Sequence, residues 1–170
     1  MKIIHTADLH LGKVLNERSL LDLQEEMLNQ LLEAVKEHGA EVLLIAGDIY
    51  DRSLPSKEAV DLLSRFLTTL CIDLGIQVVM IAGNHDSPER LGYAAALLSG
   101  MGLHIGGLEK SITKVEVKDV HIYALPYIDK RGLSALHEQD FGSLEEAMGH
   151  HLDGISLDPH AYNILMTHHY

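Results

Sequence analysis

An α/β fold is predicted by three features of the 170-residue sequence. Short, continuous apolar runs, "KIIHTA", "EVLLIA" and "IQVVMIA", alternate with longer stretches whose apolar residues recur at helical spacing. Such runs suit strands buried on both faces of a parallel sheet with helices packed on it. After about residue 100 the texture changes to shorter β-like runs joined by glycine and charged turns, which reads as a second sheet.

In chain order, "KIIHTA" is the first strand. Leu20, Leu23, Met27, Leu31 and Val35 then mark one helical face, and "EVLLIA" follows as the second strand, giving a βαβ start. A second helix is expected over 55–72, with Pro55 at a first-turn position where its missing N–H costs nothing. It carries Cys71, the only cysteine, whose expected role is packing. "IQVVMIA" is the next strand and 89–98 a short helix. "LHIGG", "SITKVEV" and "DVHIYALPY" are assigned to the second sheet. Residues 131–151 are expected to be helical with weak periodicity, "HHLDG" a turn and "AYNILMTHH" a final strand.

Apolar residues make up 46% of the chain, enough for one domain, 1–170, with a sizeable core. No run of eighteen apolar residues would span a bilayer, and "MKIIHTADLH" reaches charged groups too early for a signal peptide. With one cysteine and no possible internal disulfide, a cytoplasmic location and no membrane association are expected. The formal charge of −12 argues against unaided binding to a polyanion, so a nucleic-acid substrate would need bound cations. Most of the twelve histidines are scattered singly.

The chemistry-bearing residues gather after strands: "TADLH" after the first, "AGDIYD" after the second, "AGNHD" after the third and "MTHH" at the last. In open α/β sheets, functional groups collect outside the carboxyl ends of strands, so these four loops should converge. Asp8 and His10 have the i, i+2 spacing that points both side chains to one side of an extended segment, where they would share a metal ion. Carboxylate, imidazole and amide oxygen together suit manganese, iron or zinc better than calcium. Gly47 and Gly83 allow tight turns and close approach just before the polar residues. Taken singly, Asp8, His10, Asp48 and Asn84 are ordinary turn, cap or loop residues; their shared order after successive strands is what points to a site.

Together "DLH", "GDIYD", "GNHD" and "THH" resemble the calcineurin-like metallophosphoesterase superfamily, and the surrounding "IIHTADLHLGK", "LLIAGDIYDRSLPSKEAVDLL" and "VVMIAGNHDSPERLG" resemble its SbcD-type nuclease subunits. The resemblance implies a four-layer α/β/β/α sandwich and two divalent metal ions, usually manganese, with magnesium, iron or zinc as alternatives. By position, Asp8 and His10 would hold the first ion, Asp48 would bridge, and Asn84 and His168 would hold the second, with His169 pointing away. His85 would contact the scissile phosphate and Asp51 would orient it. Implied function is cleavage of double-stranded DNA ends and hairpins with an SbcC-type ATPase, in DNA repair, recombination and replication. A homodimer would form through the helices at 55–72 and 89–98. Lys13, Arg52 and Arg90 would meet DNA near the metal rim, whereas Arg18 and Lys57 read as surface charge. The superfamily's closing G-H-x-H does not follow His168, and "GHH" at Gly149 lacks the spacing, so the fold is expected to be incomplete at its C-terminus. Two other readings stay open: a phosphoesterase for small phosphate esters, and a catalytically incompetent piece that serves dimerisation alone.

Overall fold

The first sheet is built from β1 (Ile3–Thr6), β4 (Val42–Ala46), β5 (Gln77–Ile81) and β6 (Leu103–Gly106), paired in that order and all parallel, in a computed structural model that describes residues 1–108 and 111–169. A two-residue hairpin, β2 (Val14–Leu15) with β3 (Arg18–Ser19), follows β1 and leads into α1 (Leu21–His38). The helix α2 (Lys57–Thr68) continues into a π-helical turn, Thr69–Asp73, before β5. Each strand lies beside its predecessor, so every crossover runs in the same direction. Because such crossovers are right-handed, α1, α2 and the short helices before β6 fall on one face. The opposite face is left for another layer.

The side-chain alternation of β4 and β5 shows both contacts. Leu43, Ile45, Val78 and Met80 join the core under the helices with Leu28, Val35, Leu63 and Phe66. Val42, Leu44, Ala46, Val79 and Ile81 point the other way, onto Val115, Val120, Ile122, Ala124 and Met166 of the second sheet. That sheet consists of β7 (Thr113–Val117), β8 (Val120–Leu125) and β9 (Tyr162–Thr167), with β8 antiparallel to β7 and parallel to β9. Beyond it lie α5 (Lys130–Leu136) and α6 (Leu144–Leu152), which share a third apolar cluster of Leu125, Ile128, Leu133, Phe141 and Ala147. The layers are therefore helix, sheet, sheet, helix. Among the described residues no helix is long and apolar enough to cross a membrane.

Several local expectations change. "LHIGG" supplies β6 of the first sheet, not the second, pairing Val78 with Leu103 through Ile81 with Gly106. The helix over 89–98 is two short helices, α3 (Pro88–Leu91) and α4 (Ala95–Ser99), because Ala94 adopts a left-handed conformation at φ 60° that no α-helix continues. Pro55 precedes α2; the N-cap is Ser56, whose Oγ accepts from Ala59 N–H at 3.2 Å. The 131–151 segment divides into α5 and α6. The two histidines of "HHLDG" belong to the last turn of α6, where positive charge would favour the helix dipole.

There His151 is buried, its Nδ1 lies 2.9 Å from Nε2 of His137, and its own Nε2 has no partner. Burial, then the neighbouring His137 and His150, hold its pKa below the usual 6.5. A histidine depressed in the folded state takes its proton more readily when unfolded. Its contribution to stability is thus complete above 6.5 and is lost as pH falls below that value. Melting temperature should drop between about pH 7.5 and about pH 5.5, and drop less in His151→Leu, which cannot titrate.

Candidate metal centre

The loops after β1 and β4 are zipped together by backbone hydrogen bonds that prolong the parallel ladder. Asp8 N–H donates to Gly47 O at 3.1 Å, His10 N–H to Asp48 O at 2.9 Å, Leu11 N–H to Ile49 O at 2.9 Å, and Asp51 N–H to Leu11 O at 3.1 Å. Asp8, His10 and Asp48 have φ of 57°, 44° and 49°. The expected extended segment at Asp8 and His10 is therefore replaced by left-handed kinks, a conformation that aspartate and histidine tolerate better than most residues. The kinks re-aim both side chains without separating them, for His10 Nε2 is 3.8 Å from Asp8 Oδ1.

A third loop, after β5, is tied to the second by Asp86. Its buried carboxylate accepts from Ile49 N–H at 3.0 Å, Tyr50 N–H at 2.9 Å and Gly83 N–H at 2.9 Å. Burial pushes the Asp86 carboxyl up, these three donors oppose it, and the Asp48 charge adds to the rise. Burial, reinforced by Asp86, likewise pushes the Tyr50 hydroxyl up to about 12. Asp86 is the functional residue that periodicity and spacing missed. Its only sequence signal is its place in "GNHD", since its partners lie as far as 37 positions away.

Asp48 sits at the centre, only 3% exposed. Its Oδ1 accepts from His85 N–H at 3.0 Å and faces His168 Nε2 at 3.7 Å; its Oδ2 faces His10 Nε2 at 3.5 Å and His85 Nε2 at 3.9 Å. Three imidazoles thus stand just outside hydrogen-bonding distance of one buried carboxylate, a spacing that leaves room for cations between them. Asp8, His10 and Asp48 form one group of potential ligands within 4.8 Å of one another, and His10, Asp51 and His85 form another. His168 Nδ1 lies 2.8 Å from Ala46 O, a carbonyl that can only accept, so Nδ1 carries the proton. In the neutral ring the Nε2 lone pair then faces Asn84 Oδ1 at 3.2 Å, acceptor against acceptor. A cation between the two would relieve that conflict, as would turning the Asn84 amide to present Nδ2, and an imidazole anchored through its other nitrogen is the usual arrangement of a metal-binding histidine. His10 Nδ1 is also buried without a hydrogen-bond partner, 3.5 Å from Asp51 Oδ1. The mixture of carboxylate, imidazole and amide oxygen suits a divalent transition metal.

The fold therefore brings Asp8, His10, Asp48, Asn84 and His168 to one rim. His85 is beside them, with its Nδ1 2.9 Å from Asp51 O and its Nε2 3.9 Å from Asp48 Oδ2. Asp51 meets His85 through its backbone carbonyl, while its carboxylate takes Lys13 Nζ at 3.6 Å and Arg52 Nε at 3.9 Å. Arg90 lines an apolar groove of about 490 Å³ with Leu54, Ile72 and Tyr93, and Tyr50 and Ser53 of the loop after β4 line it too. Cys71 lines the same groove, and burial pushes its thiol pKa up, in keeping with packing. His169 packs its ring on Tyr127, 6.0 Å between centroids.

Two glycines set the closeness of the loops. A Cβ at Gly83 would run into the carboxylate and backbone N of Asp48, and one at Gly47, φ 86°, would strike the His168 ring. Gly83→Ala should displace Asp48 and cost at least tenfold in affinity for a divalent ion, of the order of disturbing a metal's supporting shell, as calorimetric titration with manganese would measure.

The motif loops, the four layers and this cluster of donors agree with a comparison against family models, in which the calcineurin-like phosphoesterase model matches residues 1–169. That match covers nearly the whole chain, and the protein belongs to the calcineurin-like phosphoesterase family.

Proposed function

We propose that the chain is a metal-dependent DNA phosphodiesterase of the SbcD type, acting with an SbcC-type ATPase in DNA repair and recombination. The observation that carries the reading is the pairing of an open histidine with a basic rim. His85 is 44% exposed at its side chain and is held by the Asp51 carbonyl, and the Lys13 and Arg52 side chains flank the same residue. A small phosphate ester needs little more than the centre itself, whereas a polyanion that continues past it gains from cations along the edge. The words around the motifs, "HLGK" and "GDIYDRSLPS", support the same branch.

In this reading Asp8 and His10 would hold one divalent ion, Asn84 and His168 a second, and Asp48 would bridge. Manganese is the expected metal. Such ions neutralise phosphate oxygens and activate water for in-line attack on phosphorus, and they offset the overall charge of −12. The chain's own contribution is positional and electrostatic. With Nδ1 donating to the Asp51 carbonyl, the His85 ring presents Nε2 to the leaving oxygen and, when doubly protonated, supplies its proton. Lys13 and Arg52 neutralise flanking phosphates. Arg90 is a further proposed DNA contact.

A second copy of the chain is the proposed occupant of the apolar groove between α2 and α4. Leu54, Val60, Ile72, Tyr93 and Met101, all exposed, all line it and gather apolar side chains around one groove. Ile72→Glu is expected to convert a dimer into a monomer in light scattering, and a monomeric wild type would remove the dimer from the proposal.

His85→Gln should reduce cleavage of a labelled DNA duplex in manganese by at least 100-fold, the scale of losing a positioned acid, and leave manganese affinity nearly unchanged. Turnover of p-nitrophenyl phosphate with no cleavage of duplex or hairpin DNA would favour the small-ester reading instead.

A further inference from the structure

The turn from Leu9 to Gly12 carries His10, and its two sides are held differently. On one side the ladder to Gly47, Asp48 and Ile49 fixes the backbone N–H groups. On the other side stands α1, from which the Gln24 side chain hydrogen-bonds across to the turn. Gln24 is buried, at 8% exposure. Its Nε2 donates to Leu9 O at 3.2 Å and to His10 O at 2.6 Å, and its Oε1 accepts from Gly12 N–H at 3.0 Å. Both amide protons and the oxygen are thereby used on three backbone groups within four residues.

Those groups need a partner. Leu9 and Leu11 are 4% and 1% exposed, sunk into the core on either side of His10, and the His10 carbonyl that Gln24 meets also accepts from Lys13 N–H at 3.1 Å, which closes the turn. His10 itself is in the left-handed region at φ 44°, which an L-residue keeps only where its surroundings over-determine it. Gly12 is pressed against α2, where an added Cβ would lie 3.1 Å from Ala59 Cβ. Gln24 gives this strained turn a polar link to a helix whose Leu28 and Val35 already share an apolar cluster with Leu9 and Leu11.

We propose that Gln24 is a positioning residue of the metal centre, fixing the left-handed turn that aims the His10 imidazole at the ion shared with Asp8 and Asp48. The proposal rests on reading this rim as a divalent metal site. Gln24→Met preserves side-chain length and helix propensity and removes every polar contact; Gln24→Glu keeps an acceptor for Gly12 N–H but has no donor for the two carbonyls.

The test is calorimetric titration of the whole chain with manganese, alongside melting temperatures. Both variants should lose about 10- to 100-fold in affinity, the range typical of groups that orient a metal ligand. Leu28→Ala, a cavity in the same helix, controls for stability: it should lower the melting temperature at least as much and leave the affinity unchanged. Wild-type affinity in either Gln24 variant would overturn the proposal. So would an equal affinity loss in Leu28→Ala, which would reduce Gln24 to a structural role. A wild-type chain that binds no manganese would sink the metal reading and this inference together. Affinities that follow the expected order in a chain that cuts no DNA would leave the inference standing and defeat the nuclease reading alone.

Discussion

Burial of the Asp48 carboxylate is the constraint around which the rim is organised. Removing such a charge from water costs on the order of several kcal/mol even after relaxation, and one backbone N–H from His85 is the single hydrogen bond found for its side chain among the described residues. Compensation must come from what surrounds it, three imidazoles and bound cations, and the nearby carboxylate of Asp8 adds to the negative charge that those cations would offset. Two of the imidazoles and the loop that carries Asn84 are tied to the end of β4 and the loop after it. His168 is anchored on Ala46 O, His85 on Asp51 O, and the loop bearing Asn84 through Asp86. The polar residues are therefore a set, in which the cost of each is intelligible only with the others present.

The layered architecture supplies the geometry at small expense in sequence. Because β1, β4, β5 and β6 follow one another across the sheet, the three loops at the carboxyl ends of the first three are neighbours without any long excursion. Because their helices all lie on one face, the other face can receive a second sheet, and β9 delivers His168 to the same rim from that layer. Ala124 packing on the backbone of Gly106 shows how close the two sheets come, since a Cβ there would meet the alanine methyl.

The strands, the first long helix and the convergence of the four polar loops were legible in the sequence because each depends on local pattern. Apolar runs of five mark β4 and β5, and polar residues with glycine punctuation mark their ends. What escaped was set by non-local partners. The short run "LHIGG" has no period that says which sheet it joins, and β5 decides that by pairing. Ala94 offers no breaker signal of the kind glycine or proline would give, yet the chain turns there. The i, i+2 spacing of Asp8 and His10 suggested an extended segment, whereas the ladder to the neighbouring loop imposes left-handed kinks. Asp86 and Gln24 look like ordinary surface polar residues until the loops that they hold are placed beside them.

The contact between His168 and Ala46 joins residues 122 positions apart, from the two different sheets. Ordering the ends of so long a stretch costs chain entropy that is recovered only after the intervening elements have docked. The imidazole anchored on Ala46 therefore depends on the two sheets being stacked. Occupancy of that position by an ion would be a signal of completed assembly: a chain with its sheets formed but not yet stacked would carry the motif loops and still be without the geometry that makes them a site.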